Sequence, residues 1–186
     1  MRKYSKDYKV VLTEDKKGHE KRKAVYRGKY FEINVDERRL KTLKIQCLIL
    51  SALVIIFHIA GGFIASQGMY QFYISLPYAF AFLPLYLLAA GVFRLPTKKR
   101  KFRRDEIDLS FKRTDTWALV LLISLGVCVV GEVVFMIWFM EGNVSQELSY
   151  LGLEVVSVLF IFIMIRLLKP VLGRIVSDQE DQKQRD

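Results

Sequence analysis

The chain has 186 residues, of which 52% are hydrophobic and 26% charged, and its formal net charge is +10. This length corresponds to one compact unit, and the apolar fraction is high for a soluble domain. Residues 1–44 contain 15 Lys and Arg, residues 94–116 contain 9, and residues 166–186 contain the other 5. Because apolar stretches of membrane-spanning length separate these basic segments, the charge argues against a nucleic-acid-binding surface.

The basic N-terminal segment, residues 1–44, contains two β-favouring stretches, Tyr8–Thr13 and Ala24–Ile33. A turn signal lies between them at residues 17–18, and Gly28 indicates a bulge or a second turn. The pattern predicts a small β-hairpin lying against the membrane.

The end of the same segment leads into the first apolar stretch. Asp36 is predicted to be the N-cap of a helix that continues into this stretch. The 44-residue lead is too long and polar for a signal peptide, so the first span is expected to be an uncleaved anchor. Two interpretations of the lead stay open: a docking surface for a cytoplasmic partner, or a basic tail held near anionic lipid.

Four apolar stretches predict an all-α membrane protein, a bundle of four transmembrane helices. Ile45–Phe93 alone has no Asp, Glu, Lys or Arg over 49 residues, enough for two spans. The predicted spans are residues 45–65, 71–93, 117–140 and 148–168, with a loop at residues 94–116 and a tail at residues 169–186. Both short loops lack Lys and Arg, so we expect the termini and the long loop on the cytoplasmic face of the plasma membrane.

Each predicted span carries one polar side chain at a similar depth: His58, Tyr78, Glu132 and Glu154. Counting about 1.5 Å per residue from the span centres places them in one layer, outward of the membrane midplane. Small and polar residues share helical faces, which predicts that these faces meet inside the bundle. The faces are Cys47, Ser51, His58, Gly61, Gly62 and Ala65 in the first span, Ser124, Cys128, Gly131 and Glu132 in the third, and Tyr150, Glu154 and Ser157 in the fourth.

Three interpretations of this polar layer stay open. The side chains hydrogen-bond across helices and fix their register, at about 0.6 kcal/mol per contact. Alternatively, the buried carboxylates carry protons or cations in a transport site. A metal site of His58, Glu132 and Glu154 is the third, but no ligand pair has the Glu-x-x-His spacing of metal sites in helix bundles. We therefore expect neither a metal nor another cofactor.

The central loop begins with a basic patch beside the second span, formed by Lys98, Lys99, Arg100, Lys101, Arg103 and Arg104. Next to a membrane, such a cluster is typical of attraction to anionic headgroups. Residues 105–113 are acidic first and basic last, which matches a helix dipole. Ile107 and Phe111, four residues apart, are expected to dip into the membrane interface.

No catalytic signature is present: the chain lacks His-Glu-x-x-His, Gly-x-Ser-x-Gly and a phosphate-binding Gly-Lys-Ser/Thr loop. We therefore expect a non-enzymatic accessory or regulatory membrane subunit. Its partners would be anionic lipid and a membrane or cytoplasmic protein, or a second copy of the chain, and not nucleic acid. The alternative is a small proton- or cation-coupled transporter that uses the layer of His58, Glu132 and Glu154. Cys47 and Cys128 are expected to be packing residues, because their predicted depths are too different for a disulfide.

Overall fold

The computed structural model describes residues 4, 7–14, 20–98, 101–139 and 143–177. The predicted turn at residues 17–18, two members of the basic patch (Lys99 and Arg100) and the tail beyond residue 177 lie outside them. The described chain is predominantly helical. Four helices are long and apolar enough to cross a membrane: α1, Glu37–Gly62; α2, Phe72–Phe93; α3, Arg104–Trp138; and α4, Val144–Leu172.

The exposed surface of the helices is apolar, whereas their buried interior is partly polar. Large apolar side chains are exposed on every helix, for example Ile56 on α1 and Leu159 on α4. In contrast, His58, Glu132 and Glu154 are fully buried. Soluble proteins bury apolar residues and almost never bury unpaired carboxylates, whereas lipid solvates apolar helix faces. The distribution therefore agrees with four membrane-spanning helices.

The helices pack as a closed ring in which α2 contacts α3, α3 contacts α4, and α4 contacts α1, with a smaller interface between α1 and α2. The predicted faces of the third and fourth spans are fully buried, and so are Cys47, Ser51, His58 and Gly61 of the first. Gly62 and Ala65, at the end of the first predicted face, are exposed, so that face is buried only in part. A close backbone approach joins α2 to α3, where a Cβ atom on Gly91 would lie 2.6 Å from Thr114 Oγ1 and 3.1 Å from Thr114 N. Small residues permit this backbone contact.

The two ends of the bundle differ. We call the end at which α1 begins and α4 ends the terminal end, and the end that carries the two short joints the loop end. At the terminal end, β1 (Tyr8–Glu14) pairs with β2 (Glu20–Tyr26) in an antiparallel hairpin. The hairpin agrees with the prediction only in part, because the predicted second stretch, Ala24–Ile33, is divided between β2 and a strand of another sheet. A second antiparallel sheet has the order β4-β3-β5, formed by Phe102–Arg103, Tyr30–Ile33 and Ile175–Ser177. The all-α prediction was wrong in omitting this sheet.

The sheet corrects the prediction for the central loop. Its strand β4 carries Phe102, which is buried, and Arg103 of the basic patch, which is exposed. The next helix, α3, begins at Arg104 and contains one π-helical turn at Asp108–Lys112. Ile107 and Phe111 do not reach the interface, because they belong to the core with Ile33 and Phe102. Both side chains are buried within the protein instead.

Other members of the basic patch stay exposed, namely Lys98, Lys101 and Arg104. Asp36 is the N-cap of α1 as predicted, although its side chain makes no capping hydrogen bond. Lys44 Nζ donates to the carbonyl oxygen of Phe93 at 2.9 Å and so ties α1 to the last turn of α2. A cation at a helix C-terminus also interacts favourably with the helix dipole.

Candidate functional site

The structure places the four predicted polar side chains at two levels rather than in one layer. His58, Tyr78 and Glu154 contact one another, and we call them the inner cluster. Glu132 lies closer to the loop end, packed against Gly68. The joint between α1 and α2 contributes to this difference, because it brings Gly68 against Glu132.

The inner cluster is centred on the imidazole of His58. Its Nδ1 atom lies 3.1 Å from Glu154 Oε1, and its Nε2 atom lies 3.2 Å from the carbonyl oxygen of Tyr78. A backbone carbonyl only accepts hydrogen bonds, so Nε2 carries a proton in this geometry. The contact between Nδ1 and Oε1 then contains one further proton, on either the imidazole or the carboxyl group. In either arrangement the pair is neutral overall.

Tyr78 holds the imidazole in place through a reciprocal contact between α1 and α2. Its hydroxyl donates to the carbonyl oxygen of His58 at 2.6 Å, and the two rings lie 4.2 Å apart. Phe82 covers the imidazole with a centroid distance of 4.7 Å. A side chain at Gly62 would collide with the Tyr78 hydroxyl, so glycine is required for this contact. Packing and hydrogen bonds thus fix the orientation of His58.

A second group of residues, which we call the outer cluster, lies at the loop end and consists of Ser66, Gly68, Glu132 and Glu147. The carboxylate of Glu147, in the first turn of α4, accepts hydrogen bonds from Ser66 Oγ at 2.6 Å and from the backbone N–H of Gln67 at 2.7 Å. The N–H of Gly68 is a longer third donor at 3.5 Å. Three donors aimed at one carboxyl group indicate that it is ionised. Glu147 thereby fastens the joint between α1 and α2 to α4.

The carboxyl group of Glu132 also packs against Gly68. A Cβ atom on Gly68 would lie 3.0 Å from the Glu132 carboxyl carbon and 3.1 Å from its Oε1 atom. Glu132 is fully buried, and neither of its carboxyl oxygens has a hydrogen-bond partner among the described residues. It interacts electrostatically with Glu147 without the geometry of a formed hydrogen bond. Two carboxylates this close are not both ionised without a compensating cation.

Tyr150 connects the two clusters. Its phenol is fully buried and lies close enough to interact electrostatically with both Glu132 and Glu154. Within the described chain, its hydroxyl has no hydrogen-bond partner, and neither has Glu154 Oε2. Along α4, Glu147 and Glu154 are about 10 Å apart at 1.5 Å per residue. Polar groups therefore extend inward from the loop end to His58.

Between the inner cluster and the terminal end, the interior of the bundle becomes apolar. Ser51 Oγ contacts Met164 Sδ at 3.8 Å, and Ser157 Oγ donates to the carbonyl oxygen of Leu153 at 2.9 Å. Beyond them, the terminal half of the bundle is one apolar cluster that includes Leu88, Leu121 and Leu168. The polar half of the interior is thus adjacent to the loop end and separated from the terminal end.

Sequence reasoning missed the roles of Glu147 and Ser66, whereas Tyr150 was predicted on the interior face of the fourth span but not as a link between two clusters. We placed Glu147 in a short outer loop, and the only signal for a buried role was its position in the first turn after an Asn143 N-cap. The proposed ligand set of His58, Glu132 and Glu154 does not converge, because Glu132 belongs to the outer cluster. No group of three or more His, Cys, Asp or Glu arranged to hold a metal ion occurs in the part of the chain that the structure describes.

The side chains of the two clusters and of Tyr150 offer ionisable carboxyl groups, an imidazole and phenols, which are groups that can exchange protons or bind cations. Comparison with known proteins adds no assignment: no family model, curated protein or solved structure matches this chain.

Proposed function

We propose that this protein is a small proton- or cation-coupled transporter of the plasma membrane, with both termini on the cytoplasmic side. The observation that carries the proposal is the row of buried titratable groups from Glu147 through Glu132 and Tyr150 to Glu154 and His58. Ionisable side chains inside a membrane bundle are costly, and in pumps and transporters they form the proton or ion path.

The unpartnered atoms favour this function over a purely structural role. A residue that only holds helices together gains by satisfying its polar atoms, and each buried unsatisfied group costs about 1–3 kcal/mol. In the described chain, both oxygens of Glu132, Oε2 of Glu154 and the Tyr150 hydroxyl lack partners. A proton or small cation that binds and leaves would compensate them transiently.

The titratable groups lie nearer the loop end, so we expect a proton or cation to enter the site from that end. To leave at the terminal end, it has to pass the apolar half of the bundle, which must open through a conformational change. Pro77 and Pro84 lie inside α2, which stays continuous through both residues. Each proline removes one backbone hydrogen bond from the helix, so α2 is the helix best suited to bend. Tyr78, next to Pro77, would transmit such a bend to His58.

The direct test is proton flux into proteoliposomes that contain a pH-sensitive dye, driven by an imposed pH gradient and membrane potential. We expect Glu154→Gln and Glu132→Gln to abolish the flux of the wild type, because glutamine keeps the shape of glutamate but does not titrate. The matched control is Glu37→Gln, which removes an exposed carboxylate at the terminal end and should leave flux unchanged. Cation-dependent flux is measured in parallel with Na⁺ and K⁺ gradients.

The transporter proposal fails if the wild type shows no more flux than protein-free liposomes with any of these ions. It also fails if both glutamine variants transport at the rate of the wild type. Size-exclusion profiles and helical circular dichroism of each variant show whether a lost flux reflects unfolding.

Membrane orientation has its own prediction, because the two native cysteines, Cys47 and Cys128, are fully buried and should not react with a maleimide. A cysteine introduced at exposed Gln146, at the loop end, should react with an impermeant maleimide added to intact cells. A cysteine at exposed Lys98, at the terminal end, should react only after permeabilisation. The reverse labelling pattern would invert the proposed orientation.

A second candidate function is the accessory or regulatory subunit predicted from the sequence, and the β1–β2 hairpin favours it. Val10 and Val11 on β1 and Val25 on β2 are exposed apolar side chains outside the four helices. Exposed apolar surface on a small cap is typical of a protein-docking surface. Crosslinking in native membranes, followed by mass spectrometry, separates the two functions: a stable partner captured through the hairpin supports a subunit, and a flux-competent protein without one supports the transporter.

A further inference from the structure

A basic pocket of about 620 Å³ lies at the terminal end between Tyr4 and the first turns of α3. Three cations line it: Arg104, Lys112 and Arg113. The carboxylate in its wall, Asp108, is already engaged, since Oδ1 lies 3.0 Å from Lys112 Nζ and Oδ2 accepts a hydrogen bond from the Tyr4 hydroxyl at 3.1 Å. The charge of the two guanidinium groups is therefore in excess within the pocket.

The guanidinium of Arg113 has an unsatisfied hydrogen-bond donor. Its Nε atom is buried and has no hydrogen-bond partner among the residues that the structure describes. A neighbouring pocket of about 530 Å³ shares Arg104 and Lys112 and adds Arg27 and Lys29, with Asp7 as its carboxylate. Guanidinium groups match the oxygen geometry of phosphate, so this region is suited to an anionic phosphate ester.

The level of the pocket corresponds to lipid headgroups. Thr116 and Trp117 of α3 line it on the side that faces the predicted span. Tryptophan is enriched at membrane interfaces, where its ring lies among the headgroups. The cations of the pocket therefore lie where the phosphate of a bilayer lipid would be.

An apolar groove of about 360 Å³ lies further along the same face of α3, between α3 and α2. Its lining is Leu76, Pro77 and Phe80 from α2 with Ile123, Ser124 and Val127 from α3. At 3.6 residues per turn, Thr116, Ile123 and Val127 share one helical face. Ile123 is about 10 Å from Thr116 along the helix axis, which is within one leaflet of a hydrocarbon core about 30 Å thick. The groove therefore follows the direction that an acyl chain would take from the pocket.

We propose that this face of α3 is a binding site for one anionic phospholipid. The phosphate of the headgroup contacts Arg104 and Arg113, and an acyl chain lies in the groove beside Ile123. The proposal depends on the membrane placement of the helices, but not on transport activity. It also differs from a general attraction of anionic lipids by the basic patch, because one lipid molecule has to occupy both the charged pocket and the apolar groove.

The test is native mass spectrometry of the delipidated full-length protein in detergent, titrated with phosphatidylglycerol or phosphatidylcholine. We expect the wild type to bind phosphatidylglycerol at least about tenfold more tightly than phosphatidylcholine. The double variant Arg104→Gln/Arg113→Gln should lose this preference, whereas the matched control Arg38→Gln/Arg39→Gln, on the exposed start of α1, should keep it. Ile123→Trp, which fills the groove, should weaken binding, and Leu159→Trp on the exposed face of α4 should not.

A parallel measurement with inorganic phosphate distinguishes a lipid from a free anion as the ligand of the pocket. Phosphatidylglycerol should raise the Tm of the wild type, and inorganic phosphate should not. A Tm rise with inorganic phosphate equal to that with phosphatidylglycerol would overturn the lipid assignment. Equal affinity of the wild type and the Arg104→Gln/Arg113→Gln variant, or no effect of Ile123→Trp, would overturn the site. Because neither measurement uses flux, the lipid site stands or fails separately from the transporter proposal.

Discussion

Replacement of Gly91 by leucine should destabilise the bundle by about 3 kcal/mol or more, the largest single effect that we expect from its packing. Even the first carbon of the new side chain would lie 2.6 Å from Thr114 Oγ1, 3.1 Å from Thr114 N and 3.3 Å from Thr114 Cα. The hydroxyl of Thr114 is also held in place by its hydrogen bond to the carbonyl oxygen of Ser110 at 2.8 Å. Since the obstacle includes backbone atoms, a rotamer change does not relieve it, and α2 and α3 have to separate.

Gly126→Leu is the matched control for this change. Gly126 lies within α3, and a Cβ atom there would have no neighbour within 4 Å among the described residues. Leucine has a helix propensity about 1 kcal/mol better than glycine, so this variant should be neutral or more stable. Unfolding in mixed detergent micelles, followed by the fluorescence of Trp117 and Trp138, gives both free energies. Equal stabilities of the two leucine variants would contradict the proposed contact between α2 and α3.

Glu147→Ala should destabilise the protein by about 3–5 kcal/mol, because it removes the carboxylate that joins the loop end. The change leaves Ser66 Oγ and the N–H of Gln67 without the acceptor that they contact at 2.6 and 2.7 Å. Both are charge-assisted hydrogen bonds inside the protein, which are stronger than bonds between neutral groups. The joint between α1 and α2 should then detach from α4. Hydrogen exchange of the backbone amides of residues 66–68 should rise in parallel with the loss of stability.

Two further variants separate the charge of Glu147 from its volume. Glu147→Gln keeps one acceptor oxygen but turns an amide NH₂ group towards N–H donors, so we expect an intermediate loss of stability. Gln146→Ala changes the exposed neighbouring residue and should have an effect below about 0.5 kcal/mol. A Glu147→Ala protein that unfolds within 0.5 kcal/mol of the wild type would show that the network contributes little.

The two clusters differ in how far sequence could predict them. His58, Glu132 and Glu154 were identified as buried because an ionisable residue inside an apolar stretch is conspicuous. Their depths were estimated from span centres, and such an estimate does not include the fold of the joint between α1 and α2. That joint brings Gly68 against Glu132 and so places Glu132 in the outer cluster.

The terminal end shows the same limit for backbone structure. The β1–β2 hairpin could be predicted, because its strands are adjacent in sequence and have the composition of strands. The pairing of Phe31 with Phe102 and with Ser177 was not predictable in this way. Strands of two or three residues have no periodicity of their own, and they form here because the four helices bring their ends together.

The amino-acid sequence by itself determined the four apolar helices, most of the faces that three of them bury and the basic character of one end. These properties follow from the hydropathy and the helical periodicity of the residues within single segments, and they do not depend on tertiary contacts. Only the tertiary structure decided that Glu147 holds the α1–α2 joint, that Glu132 packs against Gly68 of that joint, and that His58 pairs with Glu154. Such contacts join residues about 64 to 96 positions apart, and their geometry depends on helix ends, tilts and joints that no local pattern specifies.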